Sequence, residues 1–444
     1  MSSSASDMIP PATRNVKLSV SENNDRLGDL PDCVILHILS FLNAKQVVQT
    51  CILSPKYKNL WKRIPVLLLD SSESHFRTLK IFTEFVSNVL SLRDSSISVH
   101  TLNFKRKHGR VEPQIIKNVV DYALSHNVQQ LGLCFNGNTV QTLPTSFSSQ
   151  TLTHLNLSIY PSEGYNAGFP KSSFDLPALT NLQLENFIFN IGDDDRAEPF
   201  SIFNRLNSLR ICNCAMLHGK TLCISSATLV NLTINSPFLN YYKIDLCTPS
   251  LCTFLFAGIP FQKLSGSNVS SLKHVDILVE VKLKQYHEKS PLLLYRWLRV
   301  FANIKSLTVS ATTLQVLALI PNLSTISPPS LRNLKSFKVK MEDITIECRI
   351  TLMDVKLQNA ESKKERKRLR KKFKEEESDS LIPDGIVNFL LQNSPSAQVE
   401  YMVCSFLPSL FQTFSFPKSF SYYSCSSGRD AALEGLYETI GEVE

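Results

Sequence analysis

The chain has 444 residues, 43% of them hydrophobic, eleven cysteines and a net charge of +8. That suits two or three globular domains or one long repeat array, and no apolar run long enough to span a membrane occurs. The charge is local: Lys363–Lys374 holds nine Lys or Arg and one Glu, which is the whole excess, so the rest lacks the basic face of a nucleic-acid-binding fold and nucleic acid is an unlikely partner for it.

Residues 1–24 are rich in Ser and Asn without the apolar core of a signal peptide, and read as a disordered leader. Without a secretory signal the irregularly spaced cysteines are expected as reduced thiols of a nuclear or cytoplasmic protein.

Residues 25–70 read as three short helices. Pro31 starts the first, whose apolar residues from Val34 to Leu42 cover more than one stripe. Lys45–Leu53 forms a second helical run, and Ser54-Pro55 introduces a third over Lys56–Trp61. A unit this small cannot bury so much apolar surface alone, so the excess packs on the rest of the chain or meets a partner.

Two more helices are expected within Phe76–Leu90 and Pro113–Leu124. Ten short alternating segments follow or intervene: 100–104, 129–133, 153–157, 180–184, 209–211, 232–234, 254–256, 275–277, 307–309 and 337–339. In most of them an apolar residue stands three places earlier, as Leu152 does before Leu155, which is the L-x-x-L-x-L frame of leucine-rich repeats. The expected fold is therefore α/β: an N-terminal helical unit, then an irregular solenoid over 71–345, with parallel strands on its concave face and helices or loops outside. No repeat buries its apolar side alone, so neighbours stack. Parity turns Thr153, Asn156, Asn181, Gln183, Arg210, Thr233, Asp276, Thr308 and Lys338 outward. These mixed polar residues suit recognition of a protein target, although any solvated sheet face would look similar.

Ile344–Ile350 reads as one further alternating stretch, and 346–380 as a charged insertion. Within it Lys363, Lys364, Arg366, Lys367, Arg368, Arg370, Lys371 and Lys372 form a nuclear-address pattern, or equally a solvated charged helix. Residues 381–404 read as a helix ending at Asn393-Ser394-Pro395 and then a strand, and 405–444 as a divergent tail, partly disordered. The sequence contains no phosphate-cradling glycine loop, G-x-S-x-G elbow or H-E-x-x-H helix. Cys212-Asn213-Cys214 lacks metal-site spacing and reads as buried thiols, and Asp193–Asp195 lacks the ligand pattern of a calcium loop. No catalysis, cofactor or metal is expected.

Asp25-Arg26-Leu27, Leu30-Pro31-Asp32, Ile38-Leu39-Ser40-Phe41-Leu42, Leu53-Ser54 and Asn59-Leu60-Trp61 stand in the order and spacing of a plant F-box, which this stretch resembles. It departs from that motif at Pro55 and Tyr57, where a basic residue and a tryptophan are usual. Phe82–Phe104 resembles the junction between F-box and repeats in plant F-box/leucine-rich-repeat proteins, and Ile382–Val403 resembles their closing FBD region. The resemblance implies a non-catalytic substrate-recognition subunit of an SCF-type ubiquitin ligase. It would bind a Skp-family adaptor, and through it a cullin, by Leu30, Pro31, Val34, Ile35, Ile38, Leu39, Leu53 and Trp61, and a target protein by the repeats. Two alternatives stay open: a scaffold outside any ligase, and a nuclear nucleic-acid-associated protein acting through 363–374.

Overall fold

The computed structural model describes residues 30–403, apart from 72–75, 77, 138–142, 144–145, 161–166, 171–173, 193, 217–220, 237–241, 282–288, 322, 343, 361 and 376–381. The expected leader and tail lie outside the described residues.

Helix α1 (Asp32–Leu39) starts directly after Pro31, whose fixed backbone suits a helix entrance. Asn43 begins α2 (Ala44–Gln49) with a reciprocal cap: its side chain accepts from the Gln46 amide, and the Gln46 side chain accepts from the Asn43 amide. The third run is a 3-10 helix, Pro55–Arg63. It is longer than such helices usually persist and is fastened to the start of α1, where Lys56 Nζ donates to the Leu30 carbonyl at 2.6 Å and Arg63 lies 3.3 Å from Asp32.

Beyond it a single twelve-stranded sheet takes its strands in chain order, each parallel to the next. They are β1 (Val66–Asp70), β2 (Thr101–Arg110), β3 (Gln130–Asn136), β4 (His154–Tyr160), β5 (Asn181–Glu185) and β6 (Ser208–Cys212). Next come β7 (Asn231–Ser236), β8 (Thr253–Gly258), β9 (His274–Val279), β10 (Ser306–Ser310), β11 (Ser336–Met341) and β12 (Gln398–Val403). The ten segments read from the sequence are β2 to β11. The sheet gains a strand at each end, β1 directly after the 3-10 helix and β12 after the late helix α9 (Ile386–Leu391).

Alternate residues of each strand enter the core, so Leu102, Leu131, Leu155, Leu182, Leu209 and Leu232 form one buried row across β2–β7. Each such side chain contributes about 1.5–3 kcal/mol by burial. The other side of this core is covered by α3 (Leu79–Leu92) and α4 (Pro113–Ser125) near the start, and by α5 (Ser290–Val300) near the end. Between them the middle repeats are backed by short strands, including a four-stranded parallel sheet of 196–197, 221–225, 243–247 and 263–268.

One expectation is corrected here. Ile344–Ile350 alternates like a strand, but from Ile346 it is helix α7 (Ile346–Asn359), started by the Thr345 hydroxyl accepting from the Cys348 amide. Its Cys348, Thr351 and Leu352 are buried. Its Lys356 Nζ donates to Gln315 on the short buried helix α6 (Ala311–Leu317), which continues directly from β10. The basic run then forms α8 (Lys363–Glu375).

The helical unit and the solenoid share one core. Ile35, Leu39, Val47, Tyr57 and Leu60 belong to the same buried cluster as Leu67, Leu69 and Phe82. The Arg93 guanidinium donates to the Ile64 carbonyl at 2.7 Å, and the Pro65 carbonyl accepts from the His100 amide at 2.8 Å. Among the described residues no helix is long and apolar enough to cross a membrane.

Candidate functional site

The first candidate surface is the outward side of the N-terminal helices. Val34, Ile38 and Phe41 recur at i, i+4 and i+7, and are 39%, 46% and 62% exposed. Ile52 and Leu53 at the end of the second helical run are 87% and 65% exposed. These are five of the fifteen large apolar residues exposed among the described residues, gathered within twenty positions, a concentration that marks an interaction surface. His37 beside the stripe is exposed and sits edge-on to Phe41, ring centroids 5.0 Å apart.

Of the eight residues expected to meet an adaptor, Pro31, Val34, Ile38 and Leu53 are exposed, while Leu30 and Trp61 are half-buried and pack on the core. Ile35 and Leu39 are corrected: at 2% and 3% exposure they face inward and hold α1 against the chain's own core. Phe41 and Ile52 are exposed beside them without being among the eight, although Phe41 stands inside the quoted motif. The departure at Tyr57 falls on a side chain only 7% exposed, so it alters the packing of the unit rather than its outer surface.

The second surface is the concave face. Strand register aligns Leu68, Asn103, Gly132, Asn156, Gln183, Arg210, Thr233, Leu255, Asp276, Thr308, Lys338 and Glu400 in one unbroken row across all twelve strands. The structure thus brings together Asn156, Gln183, Arg210, Thr233, Asp276, Thr308 and Lys338. Thr308 is corrected in degree, since at 6% exposure it offers little surface. Thr153 lies just before β4, and Asn181 lies in the neighbouring outward row with His154 and Ser208.

Polar pairs bridge adjacent strands. Lys105 and Asp70 form an ion pair at 2.9 Å, and Ser158 and Tyr160 both donate to Glu185, at 2.8 and 3.2 Å. Lys338 and Glu400 pair at 3.1 Å. Burial and the neighbouring His100 hold the His154 imidazole below its ordinary pKa. The Asn156 and Asn235 side-chain oxygens are buried beneath this face and, among the described residues, accept no hydrogen bond from another protein group.

Cys212 adjoins the concave row, its Sγ accepting from the Arg210 guanidinium at 3.4 Å. Cys212 and Cys214 are buried, and burial pushes both thiols up. Asp194 pairs with Arg196 at 3.9 Å, while position 193 lies outside the described residues. Lys363, Lys364, Arg366, Lys367, Arg368, Arg370 and Lys371 are exposed on α8; the Lys372 side chain lies outside the described residues. Among the described residues no group of three or more His, Cys, Asp or Glu is placed to hold a metal ion.

Residues 27–69 match the F-box domain. The chain is similar to an F-box/LRR-repeat protein of Arabidopsis thaliana, 28% identical over 356 residues that cover 72% of either chain. A second F-box/LRR-repeat protein of that plant is 27% identical over 313 residues, 68% of this chain and 65% of the relative. An F-box protein of the same plant is 28% identical over 313 residues, 67% of this chain and 65% of the relative. The chain thus spans just under two thirds of the length of the second and third.

Proposed function

We propose that this chain, an F-box followed by an α/β leucine-rich-repeat solenoid, is the substrate-recognition subunit of an SCF-type cullin-RING ubiquitin ligase. The observation that carries the reading is the exposed apolar stripe Val34–Ile38–Phe41 with Ile52 and Leu53, on a segment that matches the F-box domain. A Skp-family adaptor covers the stripe and links the chain to a cullin. The concave row around Asn156, Gln183 and Arg210 takes the target protein. Ubiquitin transfer takes place on other subunits, so this chain acts by raising the target's effective concentration near the loaded enzyme. The shared core of F-box and solenoid supports a fixed rather than a tethered geometry between the two ligands.

The reading sets this work in the nucleus and/or cytoplasm, with Lys363–Lys372 as the nuclear address, and the exposure of α8 supports it. Neutralising those lysines and arginines in a fluorescently tagged chain is expected to reduce nuclear signal, and an unchanged distribution would remove that role.

Mass spectrometry of proteins co-purifying with the tagged full chain tests both surfaces. Ile38→Asp with Leu53→Asp is expected to lose the adaptor and cullin but keep the target; Gln183→Lys with Arg210→Glu is expected to do the reverse. Adaptor recovered in full with the first variant would refute the assignment, and absence of any adaptor from the unaltered chain would favour the scaffold alternative.

A further inference from the structure

The excess charge of the molecule has a defined place. All of the net +8 lies in Lys363–Lys374, and these residues form most of α8 (Lys363–Glu375), a helix about 20 Å long at 1.5 Å per residue. Lys363, Lys364, Arg366, Lys367, Arg368, Arg370 and Lys371 are exposed while Leu369 is half-buried. At 3.6 residues per turn their positions run round the helix and leave only the Leu369 side uncharged.

This helix is anchored. It follows α7, which is seated by the buried Cys348, Thr351 and Leu352 and by the Lys356–Gln315 hydrogen bond to α6. The turn between α7 and α8 is closed by the buried Ala360, whose carbonyl accepts from the Arg366 guanidinium at 3.3 Å. The charge is therefore carried on a helix that follows directly from one seated on α6.

We propose that α8 is a docking arm for double-stranded DNA, gripped through its phosphate backbone without reading sequence. Three observations favour this partner. A major groove about 12 Å wide admits one helix and places phosphates on both of its flanks, and α8 is positive on both. An acidic peptide would meet one flank and leave the other in water. A lipid surface would require a broad apolar face to enter the acyl boundary, and α8 has only two apolar residues in its sequence, Leu369 and Phe373. The solenoid itself has no basic excess, so the arm is the whole of the nucleic-acid surface. This inference does not rest on the ligase reading and stands or falls separately from it.

The test is fluorescence anisotropy of a labelled 20-base-pair DNA duplex of arbitrary sequence with the full chain, from 50 to 200 mM salt. With about five phosphates engaged, the slope of log K against log salt is about −4.5, a loss of roughly 500-fold over that range. The exposed variant Lys364→Gln, Lys367→Gln, Arg368→Gln, Arg370→Gln, which leaves the Arg366–Ala360 bond in place, is expected to weaken binding at 50 mM at least 100-fold and flatten the slope, with an unchanged thermal transition. Equal binding by this variant would overturn the proposal. So would polyglutamate competing as well as unlabelled duplex at equal charge, or phosphatidylserine vesicles capturing the chain more strongly than the duplex does.

Discussion

At the scale of single residues, the concave face is shaped by a few close fits. Gly132 has its neighbour Asn103 so near that a Cβ at 132 would overlap the Asn103 side-chain oxygen, and Asn103 is only 7% exposed. Gly132→Ala is therefore expected to cost about 1–3 kcal/mol by overpacking. Adding Asn103→Ala should recover part of that loss, because the two sites share one space; urea denaturation of the single and double variants measures it. His154 gives the face a pH dependence. Its folded pKa lies below the unfolded value of about 6.5, so the unfolded chain binds the extra proton first. Stability is then flat at higher pH and falls as pH drops through about 6.5. Melting temperatures between pH 8 and pH 5 should fall less for His154→Gln than for the unaltered chain. The same scale shows what sequence could not sort: Val34, Ile35, Ile38 and Leu39 are all aliphatic on one short helix. Only the packing partner, the core that continues into β1, decides that Ile35 and Leu39 face inward and Val34 and Ile38 outward.

At the scale of elements, legibility followed periodicity. Strands β2–β11 could be read because one side of each enters a core and the other faces the concavity, so polar and apolar residues alternate with period two. That parity also placed Asn156, Gln183 and Arg210 in one row before any register was known. Strand β1 escaped notice because Val66–Leu69 is continuously apolar: Leu68, on the concave side, is itself buried at 7% exposure, so no alternation marks the strand. Helix α7 misled in the opposite way, since Ile344, Ile346, Cys348 and Ile350 alternate although the capped chain is helical from Ile346. The Asn43–Gln46 capping box fixes where α2 begins and so where Ile52 and Leu53 emerge. Asn43→Ala is expected to cost about 1 kcal/mol in chemical denaturation, and a change below about 0.3 kcal/mol would show that the cap does not set this element.

At the scale of the whole molecule, F-box and repeats form one continuous body. The chain passes from the 3-10 helix into β1 with only Ile64 and Pro65 between, and both contribute carbonyls to the first repeat. The exposed apolar stripe is thereby built onto a surface that presents a row of polar side chains, with no flexible linker between. The most direct measurement of the central claim is the affinity of the purified full chain for a purified Skp-family adaptor by isothermal titration calorimetry. The account predicts a one-to-one complex, weakened at least 100-fold by Ile38→Asp with Leu53→Asp and unaffected by Gln183→Lys with Arg210→Glu. Equal affinity of the first variant and the unaltered chain would contradict it.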